Sequence, residues 1–320
     1  MHKRQSSCLV LGGCGFIGSN VVEHLLDEGY RVRVFDTPSA SRANLAAVES
    51  QIDFIKGDFL NEADLDGAMR GMDFVVHLVG TTLPANSNHR PVYDIESNLL
   101  GTISLLQVSV RHKVRRVVFA SSGGTVYGEP REVPITEEHP TDPLCSYGIA
   151  KLAIEKYLRL FQHLHGLDYT VLRISNPYGK YQKFTGEQGA VGIFLARVSE
   201  GQTITIWGDG SVTRDYVYVG DVARAFVKAL TQDSAYRVFN IGTGVGTSLR
   251  GLLGKIERVT GITPVVVFSE GRPVDVSTNI LDSTRASKYM NWRAETDCDM
   301  GLRKTWSWFF ENKAKATAAY

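Results

Sequence analysis

Short apolar runs alternate with helical stripes through the first half of the chain. The runs predict strands at Cys8–Leu11, Arg31–Phe35, Ile52–Ile55, Phe74–Val79, Val117–Ala120 and Tyr169–Ile174. Helices are predicted between them, near Ser19–Glu28, Glu62–Arg70, Tyr93–His112 and Ser146–His165. Strands with so few polar positions are covered on both faces. Strand–helix alternation of this kind predicts an α/β fold built on a doubly wound parallel sheet.

The texture changes after about Asn176. Lys180–Gly189 is polar; a helix near Val191–Glu200 and a short strand and turn at Thr203–Gly210 follow. Helical patterns at Leu249–Thr260 and Ser283–Asn291 flank an apolar strand, Val265–Phe268. Arg237–Gly242 reads as one more buried strand, so the chain returns to the first unit. The expected organisation is a dinucleotide-type domain of residues 1–176 plus about 215–245, and a smaller α/β substrate-binding domain of about 177–214 plus 246–320. Lys313–Tyr320 reads as a loose tail.

Composition narrows the function classes. With 35 basic and 34 acidic residues the formal charge is +1, so there is no electrostatic case for nucleic acid or an anionic membrane. No apolar run is long enough to span a bilayer, and the basic start is broken by glycines too early for a signal peptide. Cys8, Cys14, Cys145 and Cys298 form no CxxC pair, which argues against a zinc ribbon or a disulfide framework and fits a reducing cytoplasm. No metal site is expected.

The first chemistry lies in CLVLGGCGFIGS. Gly12, Gly15 and Gly18 follow a strand and open a helix. The first glycine permits the tight turn, the second lets a pyrophosphate approach the backbone, and the third lets helix and strand pack closely. The helix start at Phe16 and Ile17 offers N–H groups and partial positive charge to the phosphates. Asp36 ends the second strand, where a carboxylate binds ribose hydroxyls and repels the 2′-phosphate of NADP, so NAD is the expected cofactor. Asp58 follows the third strand; it either accepts a bond from the adenine amine or simply forms the turn.

The second chemistry is Tyr147–Lys151. On a helix these positions share a face. A free tyrosine ionises near pH 10, but a neighbouring ammonium and a positive nicotinamide favour the phenolate, making the pair a general acid/base for an alcohol. About 25 residues earlier, Ser121, Ser122 and Thr125 place hydroxyls at a strand end that also carries Gly123 and Gly124.

With these motifs in place the chain resembles the extended short-chain dehydrogenase/reductase superfamily, and within it the NAD-dependent sugar-nucleotide epimerase/dehydratase group. The resemblance rests on the glycine turn, Asp36, Asp58, His77–Gly80, Asn98–Thr102, the SSGGTVYG strand end, Tyr147/Lys151, Ser175–Gly179, Ile206–Gly208, Arg214–Tyr216 and Arg272–Asp275, and spans nearly the whole chain. It implies that Leu78, Val79, Gly80, Asn98 and Ser121 line the cofactor with the glycine turn, and that Lys151 holds the nicotinamide ribose. It implies a substrate site of Ser122, Thr125, Tyr147, Asn176, Val191, Trp207, Arg214, Arg272 and Asp275. Asn176, Arg214 and Arg272 would meet the diphosphate, Trp207 the base and Asp275 a ribose hydroxyl. Trp207 as plain core, and either arginine as a surface ion pair, are the bland alternatives. Relatives pair the two long apolar helices, so a homodimer through a four-helix bundle is expected.

The resemblance implies a 4-epimerase of a UDP- or dTDP-linked hexose, including a dTDP-6-deoxyhexose such as the rhamnose type. Gly124–Thr125 stands where related dehydratases carry Asp-Glu, and decarboxylases also carry Glu there, which argues against both. An NAD(P)-dependent 4-ketoreductase and a non-catalytic dinucleotide sensor are the alternatives. Many 4-epimerases have Ser or Thr at the position of Gly123, so a helper hydroxyl must come from Ser122 or Thr125, with Ser122 preferred. Asn279 is expected to border the sugar.

Overall fold

A computed structural model of the protein describes residues 5–184, 189–271 and 276–318. In chain order, β1 (Ser7–Leu11), α1 (Phe16–Asp27), β2 (Arg31–Asp36), β3 (Ile52–Lys56), α2 (Glu62–Met69) and β4 (Phe74–His77) open the chain. The short helices α3 (Pro84–Ser87) and α4 (Pro91–Asp94) lead through a π-helical turn, Ile95–Leu100, into α5 (Gly101–Arg111). Then come β5 (Arg116–Ser122), α6 (Ser146–His165) and β6 (Asp168–Ile174).

These strands, with a later β10, form a seven-stranded sheet of order β10-β6-β5-β4-β1-β2-β3, every pair parallel. The order reverses beside β1, so a crevice opens at the carboxyl ends of β1 and β4. Apolar residues on successive positions serve opposite faces. Val10 packs with Val21, Val22 and Leu25 of α1, whereas Leu9 and Leu11 pack with Leu65 of α2, Leu105 of α5 and Ile154 of α6. Each such buried side chain contributes about 1.5–3 kcal/mol of transfer energy.

The remainder comprises β7 (Asn176–Tyr178), α7 (Ala190–Ser199), β8 (Ile204–Trp207), β9 (Thr213–Tyr218), α8 (Val219–Thr231), β10 (Val238–Ile241), β11 (Gly246–Ser248), α9 (Leu249–Thr260), β12 (Val266–Ser269), β13 (Thr278–Asn279), α10 (Thr284–Met290) and α11 (Cys298–Ala318). A separate core joins α7, β8, β9, α9 and α11 through Leu195, Ile206, Tyr216, Leu252 and Leu302. By contrast Val222 and Phe226 of α8, Ala286 and Met290 of α10, and Trp292 lie in the core of the large sheet; the Trp292 indole donates to the Asp221 carbonyl at 2.8 Å.

Several elements differ from the sequence pattern: α8 and α11 fall outside every predicted helix. The helix expected at Tyr93–His112 is divided by the π-helical turn, because Asp94, Ser97 and Asn98 turn polar side chains inward. The strand β9 was not expected, since TRDYVY mixes polar and apolar residues at the seam between the two units. The expected loose tail is helical as far as Ala318, as a continuation of α11, whose Leu302 anchors it to the second core. No helix among the described residues is long and apolar enough to cross a membrane.

Candidate active site

The glycine turn sits at the carboxyl end of β1. Gly12 adopts φ +79°, and a Cβ on it would press within 3.3 Å of the Leu78 carbonyl carbon and 3.4 Å of the Val79 nitrogen. A Cβ on Gly18 would run into the Gly12 carbonyl. Gly15 caps α1 in extended backbone with no side-chain cap and no acid in the first turn, so the N–H groups at Phe16 and Ile17 remain for an anion. Leu78 and Val79 therefore border the turn at Gly12. The residues present fit a dinucleotide.

Asp36 ends β2 beside this turn. One carboxylate oxygen accepts the Cys14 N–H at 2.9 Å and the other the Thr37 N–H at 2.9 Å, which fixes the group and leaves lone pairs for ribose hydroxyls. Burial, then the Asp36 charge, pushes the Cys14 thiol up to about 12, so it is no nucleophile at neutral pH. Asp58 is exposed; one oxygen accepts the Leu60 N–H at 2.9 Å, so it does form the turn, whatever else it binds.

Tyr147 and Lys151 occupy the first turns of α6. The Lys151 ammonium lies 5.5 Å from the Tyr147 ring centre and 4.7 Å from that of Phe119, and it donates to the Ala120 carbonyl at 2.9 Å. Burial lowers Lys151 to about 8, against the raising pull of Asp94 and Glu155. Burial, then Cys145 and Asp94, pushes the Tyr147 phenol well above its ordinary value. The sequence argument that a neighbouring lysine favours the phenolate is thus incomplete: in the protein's own field the phenol stays protonated, and further positive charge is needed.

The strand-end hydroxyls part company. Ser121 is buried and donates to Glu155 Oε1 at 2.6 Å, the carboxylate that also accepts Arg173 Nη2 at 2.7 Å. Its hydroxyl is thus committed to the interior. Thr125 Oγ1 is buried without a hydrogen-bond partner, and its carbonyl would meet a Cβ on Gly148 at 3.0 Å, next to Tyr147. Ser122 is half-buried, and a Cβ on Gly124 would meet only the Ser122 hydroxyl, at 3.9 Å. Asn98 is buried. Its Oδ1 accepts the Thr81 N–H at 3.0 Å and its amide donates to Asp94 at 2.8 Å, so it braces the loop after β4.

The other expected substrate residues scatter in exposure. Asn176 donates to the Asp215 carbonyl at 3.2 Å. Arg214, on β9 beside Asn279 of β13, donates to the Thr213 carbonyl at 3.0 Å. Trp207, ending β8, keeps 44% of its surface exposed, which excludes a core role. Val191 is the reverse: at 1% exposure its side chain belongs to the second core. Asn279 is also buried and donates to the Gly123 carbonyl at 3.1 Å, so it supports the strand end instead of bordering a sugar. Arg272 and Asp275 lie outside the described residues.

Sequence reasoning missed Asp94. It is fully buried and linked to Thr82, Asn98 and Ser146. An acid inside an otherwise inward-facing helical stretch was the available signal, but its partners lie 12 and 52 positions away.

A seven-stranded parallel sheet, a glycine turn at its crevice and a Tyr–Lys couple on α6 define an extended short-chain dehydrogenase/reductase. Residues 8–242 match the NAD dependent epimerase/dehydratase family. The chain is 38% identical over 312 residues to UDP-glucose 4-epimerase of Mycolicibacterium smegmatis, covering 96% of this chain and 99% of the relative. It is similar to the UDP-glucose 4-epimerase of Thermotoga maritima solved with UDP-glucose (37% identity, 96% and 99% coverage, TM-score 0.91). It is likewise similar to that of Thermus thermophilus solved with NAD (35% identity, 95% and 99% coverage, TM-score 0.87). The chain belongs to the NAD-dependent epimerase/dehydratase family, and its cofactor is NAD.

Proposed function

We propose that the protein is a sugar-nucleotide 4-epimerase acting on a UDP- or dTDP-linked hexose, with UDP-glucose/galactose the first substrates to try. The observation that carries this reading is the buried Lys151 ammonium 5.5 Å from the Tyr147 ring and bonded to the carbonyl of Ala120 in β5. The chemistry that NAD supplies when bound is the uptake and return of the C4 hydrogen with its electron pair. Tyr147 Oη accepts the proton of the sugar 4-hydroxyl and later gives it back to the 4-oxygen. Lys151, protonated, sits behind the ring and stabilises the phenolate as it forms.

Ser122 is the proposed helper hydroxyl. Thr125 has its oxygen buried, and Gly123 has no room for a side chain against Leu281. The open space at Gly124 suits a 4-keto sugar that must present either face before the hydrogen returns. Trp207 would lie against the nucleotide base, and Arg214 and Arg272 would bind its diphosphate.

The same reading includes a homodimer. Ile149, Leu160 and Leu164 are exposed along α6, and Val92, Ile95 and Leu100 are exposed in the segment leading to α5. Pairing of these helices in a four-helix bundle would bury them. The proposal is tested by incubating purified protein, with no cofactor added, with UDP- and dTDP-hexoses and following the 4-position by proton NMR. A 4-epimer supports the reading. No product, with or without added NAD, overturns it in favour of a ketoreductase or a sensor.

A further inference from the structure

Asp94 ends α4 with no exposed surface. Its Oδ1 accepts from Thr82 Oγ1 at 2.5 Å and Asn98 Nδ2 at 2.8 Å, and its Oδ2 accepts from Ser146 Oγ at 2.7 Å. All three donors are neutral. The first turn of α6 is further tied to the same segment: the Ser146 N–H donates to Asn88 Oδ1 at 2.9 Å and the Tyr147 N–H to Ser87 Oγ at 3.1 Å. A buried carboxylate thus grips the residue next to Tyr147.

We propose that Asp94 is a positioning residue that seats Tyr147 through Ser146 and, by its charge, holds the proton on the Tyr147–Lys151 couple. This rests on reading Tyr147 as the acid/base. Charge in a poorly solvated interior acts at longer range than in water. The field of Asp94 raises both Tyr147 and Lys151.

Of the other groups around the couple, Cys145 acts on Tyr147 and Glu155 on Lys151, but neither acts on both. Cys145, the residue before α6, raises Tyr147 but is not among the groups that act on Lys151. Glu155, one turn after Lys151, is paired with Arg173 of β6 at 2.7 Å. His77 of β4 is held neutral by burial, with its pKa near 3. Arg116 of β5 and Asp168 of β6 pair at 2.5 Å. Glu96 in the π-helical turn is exposed, Arg111 of α5 pairs with Glu62 at 2.8 Å, and Arg90 lies over the Tyr93 ring at 4.4 Å.

The test is Asp94→Asn in the holoenzyme, read two ways. Lysine labelled with ¹³C at Cε, with the Lys151 signal assigned by Lys151→Met, should titrate at lower pH in the variant by about half a unit or more. Both limbs of the kcat/KM profile should move down by a similar amount, roughly a threefold rate change at fixed pH on each limb. Ser146→Ala, which keeps the charge and loses the seat, should lower kcat with the limbs unmoved. Asp94→Ser must reproduce the Asp94→Asn shift if the latter folds poorly. A lower kcat with unmoved limbs and an unmoved Lys151 signal overturns the electrostatic role and leaves a structural one. Wild-type activity in Tyr147→Phe overturns instead the reading on which the inference rests.

Discussion

Leu281 fills the space that a side chain on Gly123 would need. A Cβ built on Gly123 runs into Leu281 Cδ1, lies 3.1 Å from its Cδ2 and is 3.2 Å from the Arg173 carbonyl. Leu281 is itself fully buried with Val126, Tyr127 and Ile135. A serine placed at Gly123 should therefore harm this chain. Gly123→Ser should destabilise by about 1–3 kcal/mol, as overpacking does. Adding Leu281→Val should recover part of that loss. Thermal unfolding of both variants checks the pair, and simple additivity of two losses would contradict the contact.

Tyr147→Phe should lower kcat by about 10²–10⁴-fold, the usual contribution of a positioned acid/base. The ring stays, so KM and the NAD content of the purified protein should barely change. Steady-state kinetics and cofactor release on denaturation measure both.

Lys151 gives a pH dependence with a definite sign. Burial lowers its pKa to about 8, so the ammonium is lost as pH rises through that value. The kcat/KM profile should fall on its alkaline side near pH 8. Stability should run the other way: between about 8 and 10.5 the unfolded chain holds a proton at this lysine that the folded chain lacks, so this site's contribution to stability rises with pH. In Lys151→Met that contribution should be absent from unfolding measured across the window.

Asp36 should govern cofactor choice. Asp36→Asn keeps an oxygen for the Cys14 N–H but removes the charge at the end of β2. NAD binding should weaken by about 1–2 kcal/mol and the preference over NADP should shrink. Titrations with both dinucleotides check this.

Much of the fold was legible because the large sheet is covered on both faces, so its strands read as apolar runs and α6 and α9 as full stripes ending at left-handed Gly166 and Gly261. β9 was not legible, since its TRDYVY pairs with β7, β11 and β13 in a small mixed sheet where no single face is apolar. The same division runs through the site. Tyr147 and Lys151 were legible because their geometry follows from helical spacing. Which of Ser121 and Ser122 is available was not, because it depends on Glu155, 34 positions beyond Ser121. Val191 came from resemblance and Asn279 from its spacing to Asp275, and neither route could foresee that one side chain packs in the second core and the other bonds the Gly123 carbonyl.

The central claim is that one hydrogen leaves C4 and returns to C4 within a single binding event. The direct measurement uses UDP-glucose carrying deuterium at C4, in ordinary water, with purified protein and no added cofactor. The account predicts that deuterium stays at C4 in both epimers as they equilibrate. Epimerisation with loss of deuterium to solvent would contradict it.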